Sequence, residues 1–243
     1  MIACGARRPG LRRSVARQSA QLLALAGATL VTLTAGPLAA ADHDVQQWTL
    51  LVAQGPIADR VLVQGEIQPR LNTNASRLGQ FQLSPSLGYR VNPRTAVFLG
   101  YMFVHTDPVG RPAFDENRIY GQAALQLGKI GDVALSARPR MEARTVVGAD
   151  DLAWRFRQQL RAQLPLTEQR GPVLVAWSEA FYNLNDADWG PREGFDRWRN
   201  FVGVAVPLST ELTVEPGYLN QAVFRPGEDR FDHIASITAF YRF

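Results

Sequence analysis

Cysteine is almost missing from this chain: the single one among its 243 residues is Cys4, near the start. A chain without paired cysteines cannot be a disulfide-stapled scaffold, and a thiol that precedes the apolar run is misplaced for lipid attachment, which would follow that run. Histidine is scarce, with three residues, His43, His105 and His233. No metal-ligand cluster, P-loop or nucleotide fingerprint occurs, so no cofactor is expected. Long apolar runs are lacking as well, since the stretch from Leu22 to Leu33 falls short of the roughly 20 residues that a membrane-crossing helix needs. Nor does any segment carry a long helical stripe.

What the N-terminus has is basic residues. Arg7, Arg8, Arg12, Arg13 and Arg17 precede the apolar run, which leads through Pro37 to Ala39-Ala40-Ala41. This order predicts a secretory signal peptide over residues 1–41, cleaved near Ala41/Asp42. It holds five of the 26 basic residues and none of the 22 acidic ones, which leaves residues 42–243 with 21 against 22, a formal charge of −1. The positive excess belongs to the leader and argues for no nucleic-acid partner. About 200 remaining residues suit one domain.

Beyond the leader, apolar and polar residues alternate with a period of two in segment after segment. Eleven stretches read as strands: 46–54, 60–71, 78–91, 95–104, 117–127, 133–146, 152–164, 173–183, 197–206, 211–224 and 231–243. Short connections at 92–94, 128–132, 165–172 and 207–210 alternate with longer polar ones, among them 105–116 and 184–196. The last strand is the clearest. Phe243, Tyr241, Ala239, Ile237 and Ala235 share one face, while Arg242, Phe240, Thr238, Ser236 and Ile234 share the other. A terminal Phe with an aromatic two positions earlier resembles the C-terminal sorting signal of bacterial outer-membrane barrels. Tyr241 and Phe243 are thus the expected assembly signal, read by the barrel-assembly machinery.

Alternation alone fits a soluble sandwich as well as a barrel, and a periplasmic β-sandwich is the competing reading. The polar face decides between them, because it carries long charged side chains along whole strands. Trp48, Tyr89, Tyr101, Trp154, Trp198, Tyr218 and Tyr241 sit near strand ends and suggest an interfacial girdle facing outer-membrane lipid. The expected fold is therefore all-β: a closed antiparallel transmembrane β-barrel of about 10 to 12 strands in the outer membrane. Parity presents a difficulty, since an even number is expected when both chain ends lie in the periplasm. Either 46–54 does not span, giving ten, or one strand is hidden, giving twelve.

Several motifs in order, Glu66-x-x-x-Arg70-Leu71-Asn72, Ser86-Leu87-Gly88-Tyr89-Arg90-Val91-Asn92, Leu99-Gly100-Tyr101, Arg138-x-Arg140-x-Glu142-x-Arg144, Glu179-x-Phe181-x-Asn183, Pro216-Gly217-Tyr218 and Tyr241-x-Phe243, resemble a family of exported barrels known only as domain-of-unknown-function family 2490. The resemblance covers essentially all of 42–243. It implies an outer-membrane barrel and no activity.

The hairpin from Ser136 to Gln163 is the candidate site. Ser136, Arg138, Arg140, Glu142 and Arg144 share one face of its first strand; Arg155, Arg157, Gln159, Arg161 and Gln163 share one face of its second. Against lipid, each arginine near the midplane would cost about 2–4 kcal/mol, so these faces are expected to line the lumen. Arg70, Arg90, Arg118, Arg197, Arg199 and Arg242 join them, against Glu66, Glu179, Glu215 and Asp232. A tight connection at 128–132 would put Arg118 opposite Glu142, with Arg155 or Arg157 beside it. Enzyme readings have less support: His233 and Ser236 are three apart, hence on opposite faces of a strand, and His105 falls in a loop. Glu179 is expected to be a luminal acid. Three functions follow: a narrow channel with an Arg-rich lumen for a small anionic solute; a charge-plugged structural or interaction barrel working through its loops; and an outer-membrane hydrolase.

Overall fold

The alternating segments form eleven consecutive strands: β1 (Asp42–Pro56), β2 (Val61–Asn72), β3 (Arg77–Asn92), β4 (Thr95–Thr106), β5 (Phe114–Ile130), β6 (Val133–Val146), β7 (Ala153–Pro165), β8 (Val173–Asn183), β9 (Gly194–Pro207), β10 (Leu212–Val223) and β11 (Arg230–Arg242). The computed structural model describes residues 42–168 and 170–243, and the leader expected over 1–41 lies outside them. Each strand pairs antiparallel with the next, and β1 then pairs with β11 to close a barrel.

The parity difficulty is resolved by the direction of that last pairing. β1 is a full strand of 15 residues. It lies parallel to β11, from Asp42 opposite Arg230 to Gln54 opposite Arg242. Two chain-terminal strands running the same way require an odd total, so eleven closes without a dropped or hidden strand. Connections 57–60, 93–94, 131–132, 166–172 and 208–211 lie at one end with Phe243; 73–76 and the mostly longer connections 107–113, 147–152, 184–193 and 224–229 lie at the other end with Asp42.

The two faces are distributed in the reverse of a soluble core. On β3, Leu83, Leu87 and Tyr89 are exposed while Gln82, Ser84 and Ser86 are buried. Leu99 is 66% exposed on the outside, whereas Glu142 is 0% and Asp232 1% exposed inside. Such an outward apolar surface suits hydrocarbon, and the closed ladder leaves no unpaired backbone edge. The fold is that of an outer-membrane-type barrel. Tyr89, Tyr101, Trp154, Trp198, Tyr218 and Tyr241 are exposed as the girdle reading requires, but Trp48 is not: it is 4% exposed and faces the lumen.

The lumen is half charged and half apolar. Trp48 packs inside with Val175, Phe201, Ala205, Leu219 and Ile234, and Trp177 stacks on Phe201 with ring centroids 5.2 Å apart. On the opposite wall Tyr120 is buried, its hydroxyl 2.9 Å from that of Ser84. Gly100 makes room for that ring, because a Cβ there would collide with Tyr120. Near the seam, Thr73, Asn74 and Ala75 all adopt left-handed φ of 54–57°. Each costs about 1–2 kcal/mol for an L-residue. The Asp44 carboxylate offsets this by accepting the N–H groups of Thr73 at 3.2 Å and Asn74 at 3.1 Å.

Candidate functional site

Register places the charges. Across β6 and β7, Glu142 lies opposite Arg155, Arg140 opposite Arg157, and Arg138 opposite Gln159. Across β5 and β6, Arg118 lies opposite Arg144 and Glu142 opposite Tyr120. The expected facing of Arg118 and Glu142 is therefore corrected by two residues. The cause is the turn, which is Gly131-Asp132 between the paired Ile130 and Val133 and not a connection centred on residue 130; a bulge between Gln126 and Gly128, where Gly128 adopts φ 120°, takes back one residue of the resulting offset.

Glu142 is the centre of the arrangement. Arg155 donates to its Oε2 from Nε at 2.9 Å and Nη2 at 2.6 Å, and Arg157 donates to its Oε1 from Nη1 at 2.7 Å. Arg140 stands 3.7 Å away, held by the Gln122 side-chain oxygen at 2.7 Å and lying over the Tyr120 ring at 4.0 Å. Arg157 bridges onward to Glu179 at 2.7 Å, and that one carboxylate also serves Arg138 at 3.8 Å and Arg199 at 3.9 Å. Separately, Glu116 accepts from Arg118 at 2.8 Å and Arg144 at 2.6 Å.

Three expected members stand apart from this network. Glu66 accepts from Gln64 at 2.5 Å and makes no ion pair among the described residues. Arg70 donates to Gln68 and Gln80 and lies over the Trp48 ring, 3.7 Å from its centroid. Arg161 pairs with Glu215, nearer the short-turn end. Arg90 keeps the inward parity of Gln82, Ser84 and Ser86 but is exposed beside the short turn and does not line the central cavity, and Arg242 is exposed at the short-turn mouth. Tyr241 and Phe243 are exposed at the same end, with the Phe243 N–H donating to the Gln54 carbonyl at 3.2 Å.

The network encloses a cavity of about 360 Å³. Nine arginines line it: Arg70, Arg118, Arg138, Arg140, Arg144, Arg155, Arg157, Arg197 and Arg199. Against them stand Glu66, Glu116, Glu179 and Asp196 in the wall and Glu142 behind it, a formal excess of four positive charges. A larger cavity, about 760 Å³, opens at the short-turn end and shares Arg138 and Gln159 with the first. A third, about 220 Å³, lies towards the long loops and shares Trp48, Arg70 and Arg197. Loop 184–193 bends over the central cavity: Trp189, Gly190 and Pro191 line it, and Trp189 is anchored by its indole N–H to the Asp151 carbonyl at 3.1 Å. The chain has 25 arginines and one lysine, Lys129. That choice suits the lumen, because a planar guanidinium makes forked bonds and stacks on aromatic rings, which an ammonium cannot match.

Glu116 and Asp196 escaped the sequence reading because both were assigned to loops; β5 begins at Phe114 and β9 at Gly194, which makes Glu116 a paired strand position and Asp196 the extra residue of a bulge in β9. His105 likewise belongs to β4, on the outer face, with Nδ1 2.6 Å from Asp115 Oδ1. His233 bonds Tyr218 Oη at 2.7 Å on the outside, while Ser236 is buried inside, so these two do not meet.

Comparison with known proteins matches residues 45–232 to the family described as "Protein of unknown function (DUF2490)". The chain is 35% identical over 220 residues to an uncharacterised protein of Methylorubrum extorquens, covering 89% of this chain and 96% of that one. Among solved structures it is similar to LpxR from Salmonella typhimurium, with TM-score 0.46 and 11% identity over 74% of this chain and 83% of that one. It is also similar to the outer-membrane expressed OmpT of Vibrio cholerae, with TM-score 0.37 and 12% identity over 74% and 61% of the two chains.

Proposed function

Because the chain belongs to the family of unknown function DUF2490, its activity rests on the lumen, and we propose that it is an outer-membrane channel whose narrow, arginine-lined interior favours small anions. The observation that carries this reading is the imbalance in the central cavity, nine arginines against five carboxylates. A lumen filled only for packing would be expected to pair its charges one to one, because an uncompensated buried charge is costly. Here one carboxylate, Glu179, is divided among three guanidiniums. Low-dielectric walls concentrate the resulting field, which raises the local concentration of anions and repels cations. Shared wall residues give the three cavities a common axis for such a path.

The test is a reversal-potential measurement on refolded protein in a planar bilayer across a potassium chloride gradient. Small conductance steps with a reversal potential on the chloride side are expected. Cation selectivity, or no conductance from protein that migrates as a folded barrel, overturns the reading.

A further inference from the structure

Building on the anion-favouring lumen, we infer that the central cavity contains a discrete site for one multivalent phosphate, located where Arg70 and Arg199 converge on Trp48. Both guanidiniums lie over the same indole, Arg70 at 3.7 Å and Arg199 at 4.9 Å from its centroid. Trp48 is itself fixed, being 4% exposed and donating its indole N–H to Gln46 at 2.8 Å. Neither cation has a carboxylate within hydrogen-bond distance among the described residues. Arg70 is held by the neutral amide oxygens of Gln68 and Gln80. Arg199 donates to Gln221 at 2.7 Å, lies over the Phe181 ring at 4.6 Å as well, and stands 3.9 Å from Oε2 of Glu179, a carboxylate it shares with Arg138 and Arg157.

Like charges gathered on a rigid post and held by neutral amides form a preorganised anion receptor, since the arginines need little rearrangement when the ligand arrives. A planar carboxylate offers one edge and satisfies one fork, and a dicarboxylate such as malonate meets two forks only through edges on two separate centres. A phosphate presents oxygens in several directions and can take both guanidiniums at once, with the multiple charge that the cavity's excess of four calls for. At about 360 Å³ the space falls at the small end of the range for ligand sites, roughly 300–1,000 Å³. Trp48 contributes no charge of its own. Its part is to hold the two forks at a fixed spacing through cation–π contact.

The experiment is isothermal titration of the detergent-refolded barrel, in chloride buffer, with inorganic pyrophosphate, inorganic phosphate and malonate in parallel. Pyrophosphate and phosphate are expected to bind more tightly than malonate. Arg70→Gln and Arg199→Gln should each weaken pyrophosphate by at least about tenfold, the scale of one charge-assisted bond. Arg94→Gln, on an exposed short turn, should leave the affinity unchanged. Resistance to SDS before boiling shows that each variant is folded; if Arg70→Gln fails it, Arg70→Lys keeps the charge, loses the fork, and should still weaken binding. Absence of pyrophosphate binding, equal binding of malonate, or full affinity in folded variants of both arginines overturns the inference. Any of these alongside an anion-selective reversal potential would leave the channel reading standing, whereas binding without conductance would sink the channel and keep the site.

Discussion

Replacing Glu142 by Gln removes one negative charge and little volume, so its effect isolates the electrostatics of the luminal network. The carboxylate accepts two bonds from Arg155, at 2.9 and 2.6 Å, and one from Arg157 at 2.7 Å, with no exposure to solvent. A glutamine keeps one oxygen and turns an NH2 towards the other guanidinium, so a donor meets a donor. One pair of unit charges about 4 Å apart is worth about 4 kcal/mol at an effective dielectric of about 20, and breaking a buried pair typically costs about 3–5 kcal/mol because the partner is stranded. For a domain of this size that corresponds to a midpoint lowered by roughly 6–20 °C. Thermal or urea unfolding in detergent, followed by loss of the fast-migrating folded band, measures it. Adding Arg155→Met to the variant should restore part of the loss, since the stranded charge goes with it. Chloride conductance should rise in Glu142→Gln as the arginines separate. Glu228→Gln, on an exposed loop, should change neither quantity. If Glu142→Gln unfolds within about 0.5 kcal/mol of wild type, the ordinary range of a surface substitution, Glu142 does not hold the network together.

Two further outcomes follow from the barrel's faces and ends. Phe243→Ala, or removal of Tyr241 to Phe243, should reduce outer-membrane assembly while export continues, and wild-type protein should resist SDS until boiled; normal assembly of the truncated chain would contradict the signal reading. In brominated-lipid vesicles, a variant retaining only Trp198 should be strongly quenched and one retaining only Trp48 should not, because the first ring is 44% exposed outward and the second is luminal; equal quenching would place Trp48 on the lipid side after all.

Strand identity was plain in the sequence wherever one face was polar throughout. The bounds of 133–146 and 173–183 agree with β6 and β8 to the residue. On β1 the same rule loses its grip, because Leu51 faces out while Trp48 and Val52 face in: both faces are apolar and the period names neither. Parity failed for a related reason. Alternation tells a strand which side is wet, but nothing in it records whether a distant partner runs parallel or antiparallel. The two-residue error beside Glu142 came from centring the turn on residue 130, since Gly128 suits a turn as well as a bulge; the chain turns at Gly131-Asp132, and the bulge at Gly128 takes back one residue of the offset. Arg155 and Arg157 were nevertheless placed at Glu142, since that hairpin carries no register shift. Of the cation–π pair on Trp48, Arg70 is its direct partner across the β1–β2 hairpin, whereas Arg199 had no local sign, because it comes from β9 on the other side of the seam.

The parallel seam gives the barrel a built-in order of assembly and a natural place to part. Every other ladder joins strands adjacent in sequence, whereas the seam joins groups such as Arg230 and Asp44, 186 positions apart. Closing a loop of that length from an open chain costs about 5 kcal/mol plus a constant, and parallel pairing returns slightly less per residue than antiparallel pairing. The hairpins should therefore form first and bring the ends together, with the seam zipping last; slower hydrogen exchange at β5 and β6 than at β1 and β11 would be its signature, and uniform protection would argue against it. The contacts at the two ends of the seam gain a role from this. At one end Asp44 links Arg230 to the strained turn after β2, and at the other the Phe243 N–H bonds Gln54. They act as clasps on the one ladder that chain connectivity does not hold shut, and whatever loosens them opens the wall sideways before it widens the pore.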